Sequence, residues 1–465
     1  MPTTATASKN FTLTTNQDNI TGGAGNDKIS GVIVGGGATG TTIQAGDVIE
    51  GGSGTDTLTI AVSGDAATTL SGVQATGVEK VLLTNFDGPT GVTTIDTTLL
   101  GAPATVGLSS SGADGDTVFE GMTVLTNADL KNGAADLTLT HASTVVSGSS
   151  DAITLDVSNL SAGTFTAASI ETLTINSTLT ESKMDDVVID SATALNITGS
   201  ANLQIVGDVD FADNSTATAI DGTVNASAFT GNLHIVLNTG DIASVTGGSG
   251  DDFVEFSTGF TKADVVDGGA GTDILSLDLG AATLTKTEFA NVTNVETLEV
   301  NSTSDSAVVN ADGVSSFTNL KSAAHTKVIH VTGTLNAADD NFSYTLNGTT
   351  NNDNITGGGG ADVIDGGSGD DTITYTGDFN DYTITRTTTT IQITDTRVTS
   401  PDGVDTVQNI EYVQFSDQTV EESKVDVVQT FSGNFRDYRF YNSDGTYEIR
   451  NTSTGTTDDI TGYPS

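Results

Sequence analysis

The residues best placed to do chemistry in this chain are aspartates that follow glycine turns. GGAGNDKIS from Gly22, GGSGTDTLT from Gly51, GGSGDDFVE from Gly247, GGAGTDILS from Gly268, GGGGADVID from Gly357 and GGSGDDTIT from Gly366 share one nine-residue pattern. Two glycines open it, an aspartate is sixth and a bulky apolar residue is eighth. Shorter matches (DNIT, GDVIE, ADVVD) extend the alignment to Asp18, Asp27, Asp47 and Asp56; Asp252, Asp264 and Asp273; and Asp353, Asp362 and Asp371. Paired glycines allow a tight turn with positive φ. Such a turn aims carbonyl oxygens inward, the aspartate adds a carboxylate, and the apolar residue faces the core of a strand. An all-oxygen site of this kind suits Ca²⁺, which takes several oxygen ligands in a tolerant geometry. Zinc would call for imidazole or thiolate, and the chain has no Cys and only 4 His. Glycine dipeptides alone mark nothing more than surface turns. Aspartates aligned in three clusters instead mark a repeat architecture.

These turns must be carried by short strands. Two half-turns would make one coil of about 18 residues, stacking Asp18 on Asp47, Asp27 on Asp56, Asp252 on Asp273 and Asp353 on Asp371. That predicts about four well-formed calcium ions, with irregular sites beyond them. Spacing is strict only in the third cluster; a Gly-rich insertion, GVIVGGGATG, separates Asp27 from Asp47. A second motif recurs as GVEKVLL, SIETLTI, NVETLEV and NIEYVQF, placing Glu79, Glu171, Glu296 and Glu411 before alternating apolar runs. These glutamates read as outward-facing strand residues or caps between coils. GDFNDYTI from Gly377 is echoed by GNFRDYRF from Gly433, with Tyr382 and Tyr438 as expected core aromatics. Runs such as LTLTH and NLHIVL alternate with period two between Gly, Asn, Asp and Ser turns, the pattern of all-β structure. Short helical turns are expected only near TKTEFANV and between Glu120 and Lys131. The fold class is all-β: calcium-binding parallel β-roll or β-solenoid segments with additional strand modules and little helix. The expected segments are 1–100 (first Gly-Asp module), 101–245 (solenoid region), 246–350 (second Gly-Asp module) and 351–465 (third cluster with the duplicated units).

Charge excludes several partners. With 15 Lys+Arg against 60 Asp+Glu over 465 residues, the net charge of −45 repels phosphate backbones, so no nucleic acid is expected. Without Cys there is no disulfide frame and no thiol nucleophile. The first twenty residues lack an apolar secretory segment, and no run reaches the length of a membrane span. Enzyme motifs are missing as well. His141, His234, His325 and His330 form no HExxH, and no serine sits in GxSxG. Carboxylates for a glycosidase pair are plentiful, but the aromatic platforms usual in such clefts are scarce in a chain with no Trp and 5% aromatic residues. No catalytic residue and no enzyme activity are expected.

The nonapeptides resemble those of RTX (repeats-in-toxin) proteins, which fold as parallel β-rolls around calcium. The resemblance implies carbonyl ligands at the first and third positions: Gly22, Ala24, Gly51, Ser53, Gly247, Ser249, Gly268, Ala270, Gly357, Gly359, Gly366 and Ser368. It also implies export from a Gram-negative bacterium through the type I secretion apparatus, which reads a C-terminal signal. DGVDTVQNIEYVQFSDQTV, from Asp402, is similar to the segment that follows the last repeats in that family. The small-residue strands of 150–310 resemble RTX-bearing surface-layer proteins. A structural, self-assembling extracellular protein is therefore expected, a surface-layer or fibre subunit whose partner is itself, with cell-surface polysaccharide as a further partner. The alternative is a calcium-dependent adhesin that binds surface or host glycans.

Overall fold

The computed structural model describes residues 7–459 except 38, 65, 90, 212–220, 238–242, 258, 278–282, 285–288, 301–307, 311–318, 323–326, 331–333, 337–343, 349–351, 400, 427–433 and 444–445. Two compact units divide the chain: residues 1–275 with 291–295, and residues 276–290 with 296–465.

In the first unit, strands adjacent in a sheet are not adjacent in sequence. A thirteen-stranded parallel sheet runs from Asn10–Thr12 through Lys28–Val34, Thr57–Gly64, Lys80–Asp87 and Thr105–Ser109 to Val292–Thr293. Of the strands skipped in that order, Asn19–Gly23, Val48–Gly52 and Gln74–Thr76 form a three-stranded parallel sheet, and a second long parallel sheet runs from Thr68–Leu70 through Thr93–Asp96, Thr117–Met122 and Leu137–His141 onward. The chain thus visits one sheet, turns, visits the other and returns one coil higher, which makes a β-solenoid. The period-two pattern fixes which side chains point inward. Leu58, Ile60 and Val62 of TLTIAVSG are all buried. Register then stacks like on like: Ile29 lies beside Leu58, Leu58 beside Val81, and Val81 beside Val106. In the facing sheet Leu70, Ile95, Phe119 and Leu139 form the matching row. Each fully buried aliphatic residue contributes about 1.5–3 kcal/mol, so the apolar rows are the continuous core.

Pairing runs across the expected segment limits. Lys80–Asp87 pairs with Thr105–Ser109 across 100/101, and Ala243–Thr246 pairs with Val265–Asp267 across 245/246. In the second unit Tyr344–Asn347 pairs with Val363–Asp365 across 350/351. The helical turns expected from Glu120 to Lys131 are instead two strands, Thr117–Met122 and Asn127–Lys131. Parallel neighbours on both sides satisfy their backbones and override local helix propensity. The turn expected at TKTEFANV falls partly outside the described residues. Helix among the described residues is limited to short 3₁₀ turns such as Gly35–Gly37 and Phe379–Asp381.

The second unit repeats the coiled plan and ends it differently. Val363–Asp365 pairs in parallel with Val404–Gln408, on which the antiparallel hairpin Tyr382–Arg386/Ile391–Asp395 is built. The expected duplication is real at the level of hydrogen bonds. Thr396 donates its backbone N–H and its hydroxyl to the Asp381 carbonyl at 2.8 and 2.6 Å. Thr452 does the same to the Asp437 carbonyl at 2.6 and 2.8 Å. Burial separates the two copies. Tyr382 is buried, its ring centroid 5.2 Å from that of Phe415. Tyr438 is only half-buried and Phe435 is 79% exposed. The second copy therefore leaves its tyrosine less buried than the core aromatic the sequence suggests.

Candidate metal centre

A glycine opens each full turn because nothing larger fits. A β-carbon on Gly51 would stand 1.9 Å from the Gly77 carbonyl oxygen and 2.8 Å from Oδ2 of Asp56. The next residue, Gly52, has φ +112°, which an L side chain resists. The same crowding recurs along the chain, each distance below being measured from a β-carbon built on the glycine. Gly22 faces the Gly51 oxygen at 1.9 Å and Asp27 Oδ2 at 2.5 Å; Gly247 faces the Gly268 oxygen at 2.0 Å and Asp252 Oδ2 at 2.7 Å. Gly268 faces the Asn294 oxygen at 2.0 Å and Asp273 Oδ2 at 2.7 Å; Gly366 faces the Asn409 oxygen at 2.1 Å and Asp371 Oδ2 at 2.9 Å. Gly357 faces Asp362 Oδ2 at 2.5 Å. At each of these glycines except Gly357, one carboxylate oxygen from its own turn and one carbonyl oxygen from the neighbouring turn crowd the place a β-carbon would take.

The other carboxylate oxygen builds a ladder along the coils. The Asp27 N–H donates to Asp56 Oδ1 at 2.6 Å, Asp252 to Asp273 Oδ1 at 2.8 Å, and Asp353 to Asp371 Oδ1 at 2.8 Å. Asp18 donates to Asp47 Oδ1 at 2.9 Å. All four stacked pairs read from the repeat spacing are brought together. The motif glutamates end the ladders: Asp56 donates to Glu79 Oε2 and Asp371 to Glu411 Oε2, each at 2.7 Å. The residue two before each glutamate, Gly77, Ser169, Asn294 or Asn409, has φ between +51° and +62°. At Gly77, Asn294 and Asn409 that conformation turns the carbonyl toward the last glycine turn. Glu79 and Glu411 are thus caps between coils.

Hydrogen bonding sorts the aspartates. Oδ2 of Asp27, Asp56 and Asp371 is buried and accepts no hydrogen bond. A buried carboxylate oxygen without a donor is costly unless a cation meets it. Asp18, Asp47 and Asp264 differ, since each closes its own local turn. Thr14 N–H donates to Asp18 Oδ2 at 2.6 Å, Gln44 N–H to Asp47 Oδ2 at 2.9 Å, and Thr261 N–H to Asp264 Oδ2 at 2.7 Å. Their other oxygens are engaged too, by the Thr14 hydroxyl, Asp18 N–H and Ala243 N–H. Asp252 is intermediate, with Gly248 N–H on Oδ2 at 2.7 Å. On the Asp18–Asp47 side, which lacks the GGxG turn, hydrogen-bond donors already meet both oxygens of each carboxylate.

Of the carbonyls implied by the resemblance, those of Gly51, Gly268 and Gly366 abut the opening glycines of the preceding turns, Gly22, Gly247 and Gly348. The Gly22 carbonyl instead accepts from Lys9 Nζ at 2.5 Å. At the third position the N–H is engaged: Ser53 donates to the Gly23 carbonyl, Ser249 to that of Phe229 and Ala270 to that of Gly248, at 2.8 to 3.1 Å. Ala24, Gly359 and Ser368 lie in the matching turns. Among the described residues no three His, Cys, Asp or Glu side chains gather as a metal-holding group. The donor set is one carboxylate with main-chain oxygens, which matches a hard cation such as Ca²⁺.

Spacing alone missed two members. Gly348 faces the Gly366 oxygen at 2.0 Å and Asp353 Oδ2 at 2.9 Å, making the fifth residue before Asp353 a turn-opening glycine. Asp405 accepts from Asp362 N–H at 3.0 Å across 43 residues. DGVDTV keeps the glycine, aspartate and valine of a degenerate repeat, but the inserted hairpin hides its register. Burial raises the acid pKa of Asp252, Asp264 and Asp371, in the last case together with the charges of Asp353, Glu411 and Asp370. Burial, with the charge of Asp402, pushes Asp405 up to about 7. The histidines stand apart from these rows. His141 is buried and accepts from Thr126 N–H, and His234 packs edge-on against Phe253. His330 lies on the strand Lys327–His330, and His325 lies outside the described residues.

The family model of the RTX calcium-binding nonapeptide repeat matches four segments, residues 14–31, 44–59, 261–284 and 345–381. Such repeats bind Ca²⁺, and four copies hold several ions. The matched segments leave out Gly247–Asp252, whose opening glycine is crowded by a carbonyl and an aspartate oxygen just as Gly268 is. No curated protein and no solved structure matches the chain.

Proposed function

From the premise that this is an RTX calcium-binding protein, we propose that it is a secreted, non-catalytic structural subunit that assembles with copies of itself into a surface layer or fibre. The observation that carries this reading is the placement of the repeats. They do not trail behind a separate body; in the first unit they are coils of the same thirteen-stranded ladder that runs from Asn10–Thr12 to Val292–Thr293. Calcium then governs the folding of the body itself. In this reading Asp27, Asp56 and Asp371, with the carbonyls of Gly51, Gly77, Gly366 and Asn409, hold ions between stacked turns.

Where calcium is scarce, mutual repulsion within a chain of charge −45 keeps it extended and ready for export. Outside, millimolar calcium exceeds the affinities of extracellular modules, roughly 10⁻⁴–10⁻³ M, and binding drives folding. Parallel coils expose strand edges at their ends, and such edges are natural places for head-to-tail association. No helix among the described residues is long and apolar enough to cross a membrane. Electron microscopy of purified protein, with calcium added and then chelated, tests the assembly. Ordered sheets or fibres that dissolve in chelator are expected. Monodisperse monomers at high calcium would overturn the structural role and favour the glycan-binding adhesin.

A further inference from the structure

We infer that Lys9 is a resident cation that takes the place of calcium at the N-terminal end of the Asp27–Asp56 row. The inference rests on the calcium reading of that row. Each ladder aspartate directs its carboxylate back toward the coil before it, where the preceding residue's N–H meets Oδ1. For Asp56 that preceding residue is Asp27, and for Asp27 it is Lys9, whose N–H donates to Asp27 Oδ1 at 2.7 Å. The register agrees, since Asn10 and Phe11 pair with Lys28 and Ile29. Lys9 therefore occupies the sixth position of a coil in which Asp-Lys-Ile is replaced by Lys-Asn-Phe.

Its side chain points forward into the junction. The carbonyl of Gly22 faces this earlier coil, as the carbonyl of Gly51 faces Gly22. Lys9 Nζ donates to that Gly22 oxygen at 2.5 Å, and it would stand 3.4 Å from a β-carbon on Gly23. Asp27 Oδ2, buried and accepting no hydrogen bond, borders the same place at 3.9 Å from that carbon. The Gly22 carbonyl, counterpart of the Gly51 carbonyl that faces the next turn, is here met by an ammonium group carried on the chain. The second cluster solves the same end differently. There Leu233 holds the equivalent place, its N–H donating to Asp252 Oδ1 at 2.8 Å, and Gly248 N–H satisfies Asp252 Oδ2 at 2.7 Å. No side-chain cation is needed where the backbone supplies the donor. Asp27 receives no such bond from its own turn, and a lysine stands beside it.

Hydrogen–deuterium exchange of the full-length protein across a calcium titration separates the outcomes, read on Lys28–Val34 and, as a distant control, on Thr372–Thr374. Lys9→Met keeps the stem and removes the charge; Lys9→Arg keeps the charge. In Lys9→Met the calcium midpoint for protecting Lys28–Val34 should rise by about twofold or more, the scale of one partly exposed charge contact. Thr372–Thr374 should not move, and Lys9→Arg should follow the wild type. A Lys9→Met midpoint equal to wild type, or an arginine variant as impaired as the methionine one, would overturn the inference while leaving the calcium rows intact. A wild-type strand Lys28–Val34 protected without calcium would overturn both.

Discussion

At the scale of single residues, calcium binding depends on an absent side chain and a solitary oxygen. The turn at Gly51 leaves no room for a methyl group, since the Gly77 oxygen would be 1.9 Å away. Gly51→Ala should therefore force the Gly51 and Gly77 turns apart and weaken calcium binding at that junction by tenfold or more, about 1.4 kcal/mol. Isothermal titration against the wild type reads this directly. Asp56→Asn tests the partner oxygen, because the amide keeps the ladder bond to Asp27 N–H but removes the charge. It should lower affinity while leaving the fold at saturating calcium unchanged. Asp47→Asn is the control. Both oxygens of Asp47 already accept backbone N–H groups, so its calcium titration should match the wild type. A loss equal to that of Asp56→Asn would place calcium on the wrong side of the coil in this account. That sorting was not legible in the sequence, where Asp47 and Asp56 stand in the same alignment. It depends on whether Gln44 or Thr261 offers a backbone donor from three residues away.

At the scale of the element, the turns and strands were legible because their chemistry is local. Glycine pairs announce the turn, and period-two runs such as TLTIAVSG announce the buried row. What lay beyond reach were partners outside the nonapeptide alignment: Glu79 is 23 residues from Asp56, Glu411 is 40 from Asp371, and Asp405 is 43 from Asp362. The glutamate caps carry their own prediction. Glu79→Ala strands the Asp56 N–H and should cost about 1–3 kcal/mol in thermal or denaturant unfolding at saturating calcium. Glu79→Gln retains an acceptor and should recover most of that loss; equal damage from both variants would mean that charge, not capping, is the role. In the core, Leu58 is wholly buried between Ile29 and Val81. Leu58→Ala should cost about 2–5 kcal/mol, and a loss below 1 kcal/mol would contradict a packed apolar row.

At the scale of the whole molecule, a charge of −45 sets the folded state against its own carboxylates. Burial raises the pKa of Asp252, Asp264 and Asp371, and that of Asp405 to about 7. A carboxyl whose pKa is raised on folding stabilises the metal-free fold below its ordinary range and loses that contribution as pH climbs through the raised value. In chelator, the protein should thus show more β-structure near pH 4.5 than near pH 7.5, while its affinity for calcium falls over the same descent. A metal-free spectrum that does not change with pH would contradict this balance. The two readouts move in opposite directions because protons and calcium compete for the same oxygens. The central claim is that calcium completes the solenoid. Far-ultraviolet circular dichroism of the full chain, titrated from chelator into millimolar calcium at neutral pH, tests it most directly. The account predicts a weakly structured chain in chelator that converts to a β-rich spectrum as calcium is added; a fully native β spectrum in chelator, unchanged by calcium, would contradict it.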